Sequence, residues 1–186
     1  KADTVPVGED QLPHLELARE IVRRFNHLFA PVFPEPQAKL SSYPLVLGLD
    51  GVSKMSKSLD NHIELAATAK ETEERVMKAF TDPQRSRRSD PGRPEVCNVY
   101  SLHHFYNLSQ LEEIGQQCRT AAIGCVECKR LLAQGINKAL EPFREKRAEF
   151  AAKSEYVEDV LADGARRARV IAEETLREVK VKMNLL

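Results

Sequence analysis

The 186-residue sequence contains no tryptophan, no apolar run long enough to cross a bilayer and no excess of either charge. A membrane-spanning helix needs roughly 20 consecutive apolar residues, so nothing here points to a membrane. Lysine plus arginine and aspartate plus glutamate number 28 each, so no global field draws the chain to nucleic acid. Any RNA contact must come from local patches. No basic, apolar, small-residue succession opens the chain, which excludes a visible secretory leader and makes a cytoplasmic location the expectation. The lysine at position 1 stands in mid-pattern, from which a missing N-terminal segment is expected. Internal repeats and low-complexity tracts are also absent. What remains, 42% apolar and 30% charged, is the composition of an ordinary globular protein. Its length allows one domain with a core, or a small domain and part of another.

Cysteine is scarce and concentrated. Cys97, Cys118, Cys125 and Cys128 fall in one 32-residue window, with 20, 6 and 2 residues between them. In a chain without a secretory leader this favours metal or cluster binding over a disulfide framework. Four thiolates can close a tetrahedral zinc site or ligate a cubane cluster. Four unrelated buried thiols are the alternative.

Thr4–Val7 reads as the end of a buried strand entering the turn Gly8-Glu9-Asp10. Leu12, Leu15, Ala18, Ile21, Val22, Phe25 and Leu28 then recur at helical spacing, with Pro13 in the first turn and Pro31 beyond the end. Residues 30–39 hold three prolines and read as a loop, and Tyr43–Leu49 as one more buried strand. Beyond Asn61 the pattern is helical. Thr68 and Glu71 have the form of a capping box for a helix ending near Phe80. Further helices are predicted over 97–107, 109–119 with Ser109 and Glu112 as a second capping box, 126–153, and 155 to the end with Gly164 as a break.

Lys54-Met55-Ser56-Lys57-Ser58 follows the predicted strand and its Asp50-Gly51 turn. Two lysines three apart, with interleaved hydroxyls, make a compact cation able to fold over a polyphosphate. A solvated basic loop has the same composition. Arg85, Arg87, Arg88 and Arg93 fit phosphate contact and a solvated loop equally well. Arg166, Arg167, Arg169, Lys180 and Lys182 read as a solvated helical face. His103 and His104 are adjacent, so a helix sends them about 100° apart and they do not form a ligand pair.

The string at 54–58 is the KMSKS signature of class I aminoacyl-tRNA synthetases, placed after a strand and before helices as that signature requires. Val5-Pro-Val-Gly-Glu-Asp-Gln11, 46 residues upstream measured from Gly8 to Lys54, resembles the corresponding segment of the tryptophanyl-tRNA synthetases. The tyrosyl enzymes, the nearest relatives, carry a Gly-Gly-x-Asp-Gln turn there. Asn98-x-Tyr-Ser101, Leu140-Glu-Pro-Phe-Arg144 and Val160-Leu-x-x-Gly-Ala165 extend the resemblance over essentially the whole chain.

The resemblance implies a mainly α chain. Residues 1–60 would be the C-terminal remnant of a Rossmann-like α/β catalytic domain, and 61–186 an all-helical anticodon-binding domain. It implies that Gly8, Glu9 and Asp10 line the ATP ribose, and that Leu45 packs near adenine while Met55 offers it backbone. Lys54, Ser56, Lys57 and Ser58 embrace the phosphates, with Lys54 and Lys57 as the catalytic pair. Gln11 reaches the ammonium of L-tryptophan, Val5 and Val7 wall the indole pocket, and His14 is structural. For both valines plain strand core is the competing reading. The activity implied is tryptophan activation with ATP and Mg2+, then transfer to tRNA(Trp), in a homodimeric enzyme. The segment carrying the HIGH signature would lie upstream, so the 186 residues alone are expected to be inactive. A bacterial subset of the family has the Ile123-Gly-Cys-Val-Glu-Cys128 string and binds a [4Fe-4S] cluster through cysteines like Cys97, Cys118, Cys125 and Cys128; its first gap is slightly longer. Zn2+ is the alternative ligand. A non-catalytic, metal-bearing RNA-binding module would keep the helices and cysteines but has no reason to keep the ATP loop.

Overall fold

The computed structural model describes residues 1–40 and 45–186, and these form two compact units, residues 1–45 with 153–186 and residues 46–152. Helices dominate both, as expected.

In the first unit β1 (Thr4–Pro6) pairs in parallel with β2 (Gln37–Lys39), and α1 (Leu12–Leu28) makes the crossover that a parallel pair demands. β2 went unseen in the sequence because Gln-Ala-Lys carries no apolar alternation. Tertiary bonds place it instead. The Asn26 side chain on α1 accepts from the Val32 and Phe33 amides (2.9 and 3.2 Å) and donates to the Phe33 carbonyl (2.8 Å). Arg19 donates to the Pro36 carbonyl at 2.7 Å, so the proline-rich link lies along its own helix. α6 (Ser154–Lys182) runs through Gly164 without a break; a helix interior accepts glycine at a cost of about 1 kcal/mol relative to alanine.

The second unit contains α2 (Ala69–Met77), α3 (Asn98–Tyr106), α4 (Leu111–Arg119) and α5 (Cys125–Ala151). Thr68 and Glu71 do form a reciprocal capping box at the start of α2. The box expected at Ser109 does not form: a 3-10 turn occupies Leu108–Gln110, and Gln110 precedes α4 without a side-chain cap. α2 ends before Phe80, whose amide donates to the Leu49 carbonyl at 2.7 Å. Val76, Val99, Leu132 and Ile136 are almost wholly buried where α2, α3 and α5 meet. Each such side chain contributes about 1.5–3 kcal/mol by leaving water. Polar bonds fix α2 along α5: Asn137 donates to the Ala69 carbonyl (3.1 Å), Arg144 to Thr72 Oγ1 (2.9 Å) and Lys129 to the Met77 carbonyl (2.9 Å). α2 is therefore a rigid support for what precedes it.

Candidate functional site

Instead of ending a buried strand, Val46–Gly48 folds back on Ser53–Met55. The Gly48 amide donates to the Ser53 carbonyl and the Met55 amide to the Val46 carbonyl, both at 2.9 Å, around an antiparallel bridge between Leu47 and Lys54. Tyr43 and Pro44, the start of the expected strand, lie outside the described residues. Asp50 closes the tip: its carboxylate accepts from the Val52 and Ser53 amides (3.0 and 3.1 Å) and from Asn61 Nδ2 (2.8 Å). The Asn61 bond, followed by the Val52 amide, holds its carboxyl below the usual range.

Asn61 is the buried hub of the loop. Besides binding Asp50, its Nδ2 donates to the Lys54 carbonyl (3.1 Å), its Oδ1 accepts from the Ser56 amide (2.7 Å), and its carbonyl accepts from the Leu49 amide (2.7 Å). This is possible because the chain turns over a 3-10 turn at Lys57–Leu59 and through Asp60, which is left-handed at φ 50°. Ser56 and Ser58 hydroxyls bond to each other at 2.8 Å. Lys54, Lys57 and Ser58 are exposed, whereas Met55 is half-buried against the core. The arrangement presents two cations and a hydroxyl on a braced turn. Neither Asn61 nor Arg75, which bonds the neighbouring Asp60 and the His62 carbonyl, is marked by the sequence, since an Asn and an Arg outside any motif give no signal.

The other nucleotide and amino-acid candidates belong to the first unit. Val5 and Val7 share one face of β1 and its extension, both half-buried. Gly8 has an extended backbone, φ −74° and ψ 160°, so positive φ is not what calls for glycine there. Glu9, Asp10 and Gln11 form an exposed 3-10 turn, with Gln11 Nε2 donating to Asp10 Oδ2 at 3.0 Å. Leu45 is exposed.

The four cysteines are free thiols, Cys97 and Cys128 buried and Cys118 and Cys125 half-buried. They share one region: burial first, then the neighbouring Cys97, Cys118 and Cys125, push the Cys128 thiol up to about 12. Burial also raises Cys118, opposed by Arg85. Among the described residues no group of three or more His, Cys, Asp or Glu side chains is drawn together so as to hold a metal ion. Arg85 is not the solvated loop residue that its setting suggests. It is buried, donating to Cys118 Sγ (3.6 Å) and to the Arg88 and Ile123 carbonyls (3.1 and 2.7 Å). Arg93 is likewise engaged, its guanidinium donating to buried Asp82 at 2.6 and 3.1 Å and its amide at 2.9 Å. Arg87 and Arg88 remain exposed and, with Arg130 and Gly124, line a 410 Å³ cavity at the start of α5.

His103 and His104 diverge as expected. His103 Nε2 lies 3.4 Å from Cys128 Sγ, and His104 meets the Tyr100 ring edge-on at 5.7 Å. Asn107 Nδ2 donates to the Leu131 carbonyl (3.0 Å), which makes it also the donor to His103 Nδ1 (2.8 Å) and leaves the proton on Nε2, facing the sulfur.

The Lys54–Ser58 string, read as the class I signature by resemblance, thus lies on a braced turn of the mainly helical second unit. The family model described as "tRNA synthetases class I (W and Y)" matches residues 1–141, and the chain belongs to that family. Over its full length it is 48% identical to tryptophan–tRNA ligase of Aquifex aeolicus and 47% identical to that of Thermotoga maritima, covering 47% and 57% of those proteins. The chain thus spans about half the length of the curated relatives it matches. Tryptophanyl-tRNA synthetase of Campylobacter jejuni, solved with ADP and tryptophan, superposes with a TM-score of 0.79 at 30% identity over 98% of this chain and 57% of that one.

Proposed function

We propose that this chain is the C-terminal half of a tryptophan–tRNA ligase. The tryptophan carboxylate attacks the α-phosphate of ATP, the bond to the β-phosphate breaks, and pyrophosphate leaves; a hydroxyl of the terminal ribose of tRNA(Trp) then attacks the adenylate carbonyl, and AMP leaves as the ester forms. The carrying observation is the Asn61-braced loop with exposed Lys54 and Lys57 in a chain whose relatives over its whole length are tryptophan–tRNA ligases. Lys54, Ser56, Lys57 and Ser58 bind the polyphosphate; Mg2+ arrives with ATP. The Met55 amide is bonded to Val46, so its carbonyl is the group for adenine, beside Leu45. Gly8, Glu9 and Asp10 serve the ribose, Gln11 the tryptophan ammonium, and Val5 and Val7 the indole.

Residues 1–60 as catalytic and 61–186 as tRNA-binding is a division by function. It cuts across the packing units, because the ATP loop is braced by the helical unit. Arg87, Arg88 and Arg130, around an uncapped helix N-terminus, are suited to tRNA phosphates. We infer a cytoplasmic homodimer for the complete enzyme from the family resemblance alone. Pyrophosphate exchange decides the activity: the complete polypeptide is expected to exchange with tryptophan and not with tyrosine, and the 186-residue chain alone with neither. Exchange driven by tyrosine would move the chain to the tyrosyl branch.

For Cys97, Cys118, Cys125 and Cys128 we favour a [4Fe-4S] cluster over Zn2+. A cubane takes one thiolate on each of four irons, and the family subset that the Ile123–Cys128 string resembles carries such a cluster. At Cys118 two features favour a bound thiolate against the burial that raises its thiol. Arg85 brings a cation to Cys118, and Gly92 leaves space beside that sulfur where a Cβ would come within 2.5 Å. When bound, such a group ties the start of α5 to the loop before α3 and to the end of α4. Protein purified without oxygen is expected to be brown with about four irons per chain. Stoichiometric zinc without iron would assign the thiols to the alternative, and neither metal would refute both.

A further inference from the structure

We propose that Arg75 is a positioning residue for the activating lysines, acting by holding Asp60 in its left-handed conformation; this rests on the loop's proposed role in activation. Asp60 is one of three non-glycine residues with positive φ among the described residues, and it stands where the chain must reverse after the lysine loop. Such a conformation costs a residue with a Cβ more than glycine, though an aspartate less than most, and contacts to its side chain and carbonyl help to hold it. The reversal is what returns Asn61 to the Ser56 amide and the Lys54 carbonyl. Without it, the ring that displays Lys57 does not close.

Arg75 supplies these contacts. Its Nη1 donates to the carbonyls of Asp60 (3.1 Å) and His62 (3.0 Å), and its Nη2 donates to Asp60 Oδ1 (2.6 Å). One planar fork therefore grips the Asp60 side chain, the Asp60 carbonyl and the His62 carbonyl just beyond it, which a lysine's single ammonium cannot reproduce. The fork is mounted on α2, whose neighbouring Thr72 and Val76 are fully buried and whose ends and middle are bonded to α5. The Asp60 amide completes the turn by donating to the Lys57 carbonyl at 3.2 Å.

If the role is conformational, glycine at position 60 should replace much of what Arg75 does, because glycine adopts positive φ freely. The test measures tryptophan-dependent pyrophosphate exchange by the complete enzyme and its variants. Arg75→Ala and Arg75→Lys are each expected to lower kcat about tenfold, with KM for tryptophan changed less than twofold. The double variant Arg75→Ala with Asp60→Gly is expected to recover at least half of the lost rate. Recovery through a residue that has lost its carboxylate is not what simple loss of an ion pair or of helix stability produces. Wild-type kcat in Arg75→Ala, or a deficit that glycine at 60 leaves unchanged, overturns the proposal. Lys57→Ala, run alongside, separates the two levels: if it exchanges normally the loop has no activating role, whereas a slow Lys57→Ala beside a normal Arg75→Ala refutes only the positioning role.

Discussion

Replacing Lys57 with alanine in the complete enzyme is expected to slow adenylate formation by roughly 10² to 10³, the scale of losing one donor to a developing charge. As the α-phosphate is attacked, negative charge moves onto the departing pyrophosphate, and an ammonium positioned there interacts more strongly with the transition state than with bound ATP. The structure supplies the positioning: Lys57 opens a 3-10 turn held at one side by Asn61 and at the other by Asp60 and Arg75. The Michaelis constants for ATP and tryptophan should move much less, since the proposed ground-state contacts also include the Gly8–Asp10 turn and the adenine site. Transfer from preformed adenylate to tRNA should survive, because pyrophosphate has already left. Single-turnover kinetics with the two steps separated checks this. Normal activation with defective transfer would mean that the loop serves the other step.

What the sequence disclosed and what it concealed divide along the range of the interactions. The Lys54–Ser58 string, the Thr68 capping box and the α1 stripe are local patterns, and each could be read from neighbouring residues. β2, the hairpin at Val46–Met55 and the bracing of the loop depend on partners far along the chain. Arg75 lies 15 residues from Asp60, and Asn98, which donates to the Gly48 carbonyl at 2.7 Å, lies 50 residues away. Arg85 is the instructive miss. A run of arginines in a Pro/Gly-rich stretch has the composition of a solvated patch, yet Arg85 is withdrawn to Cys118 and the Ile123 carbonyl, a contact spanning 38 residues. Ser109 and Glu112 failed in the opposite sense. Their spacing suits a capping box, but the chain enters α4 through a 3-10 turn, which moves the first helical residue to Leu111 and takes Ser109 out of the N-cap position.

Two glycines predict opposite outcomes for the same substitution, and the contrast tests the hub directly. At Gly48 an added Cβ would stand 2.1 Å from Asn61 Nδ2 and 2.2 Å from Asn61 Cγ, far inside contact distance. Asn61 has no slack to yield, since its amide serves Asp50, the Lys54 carbonyl and the Ser56 amide at once. Gly48 is itself held, its amide on the Ser53 carbonyl and its carbonyl taking the Asn98 amide. Gly48→Ala must therefore push Asn61 out, adding overpacking to several buried hydrogen bonds left incomplete, a cost of about 2–4 kcal/mol. Because those bonds brace the lysine loop, activation should fall by about tenfold or more along with stability. Gly164, in α6, has nothing within 4 Å of an added Cβ. Gly164→Ala should stabilise by about 0.5–1 kcal/mol, the helix preference of alanine over glycine, with activation unchanged. Urea unfolding of both variants checks the signs, and pyrophosphate exchange by the complete enzyme checks the coupling to the loop. Wild-type stability in Gly48→Ala would show that Asn61 can leave without consequence, and the hub would then not be what shapes the loop.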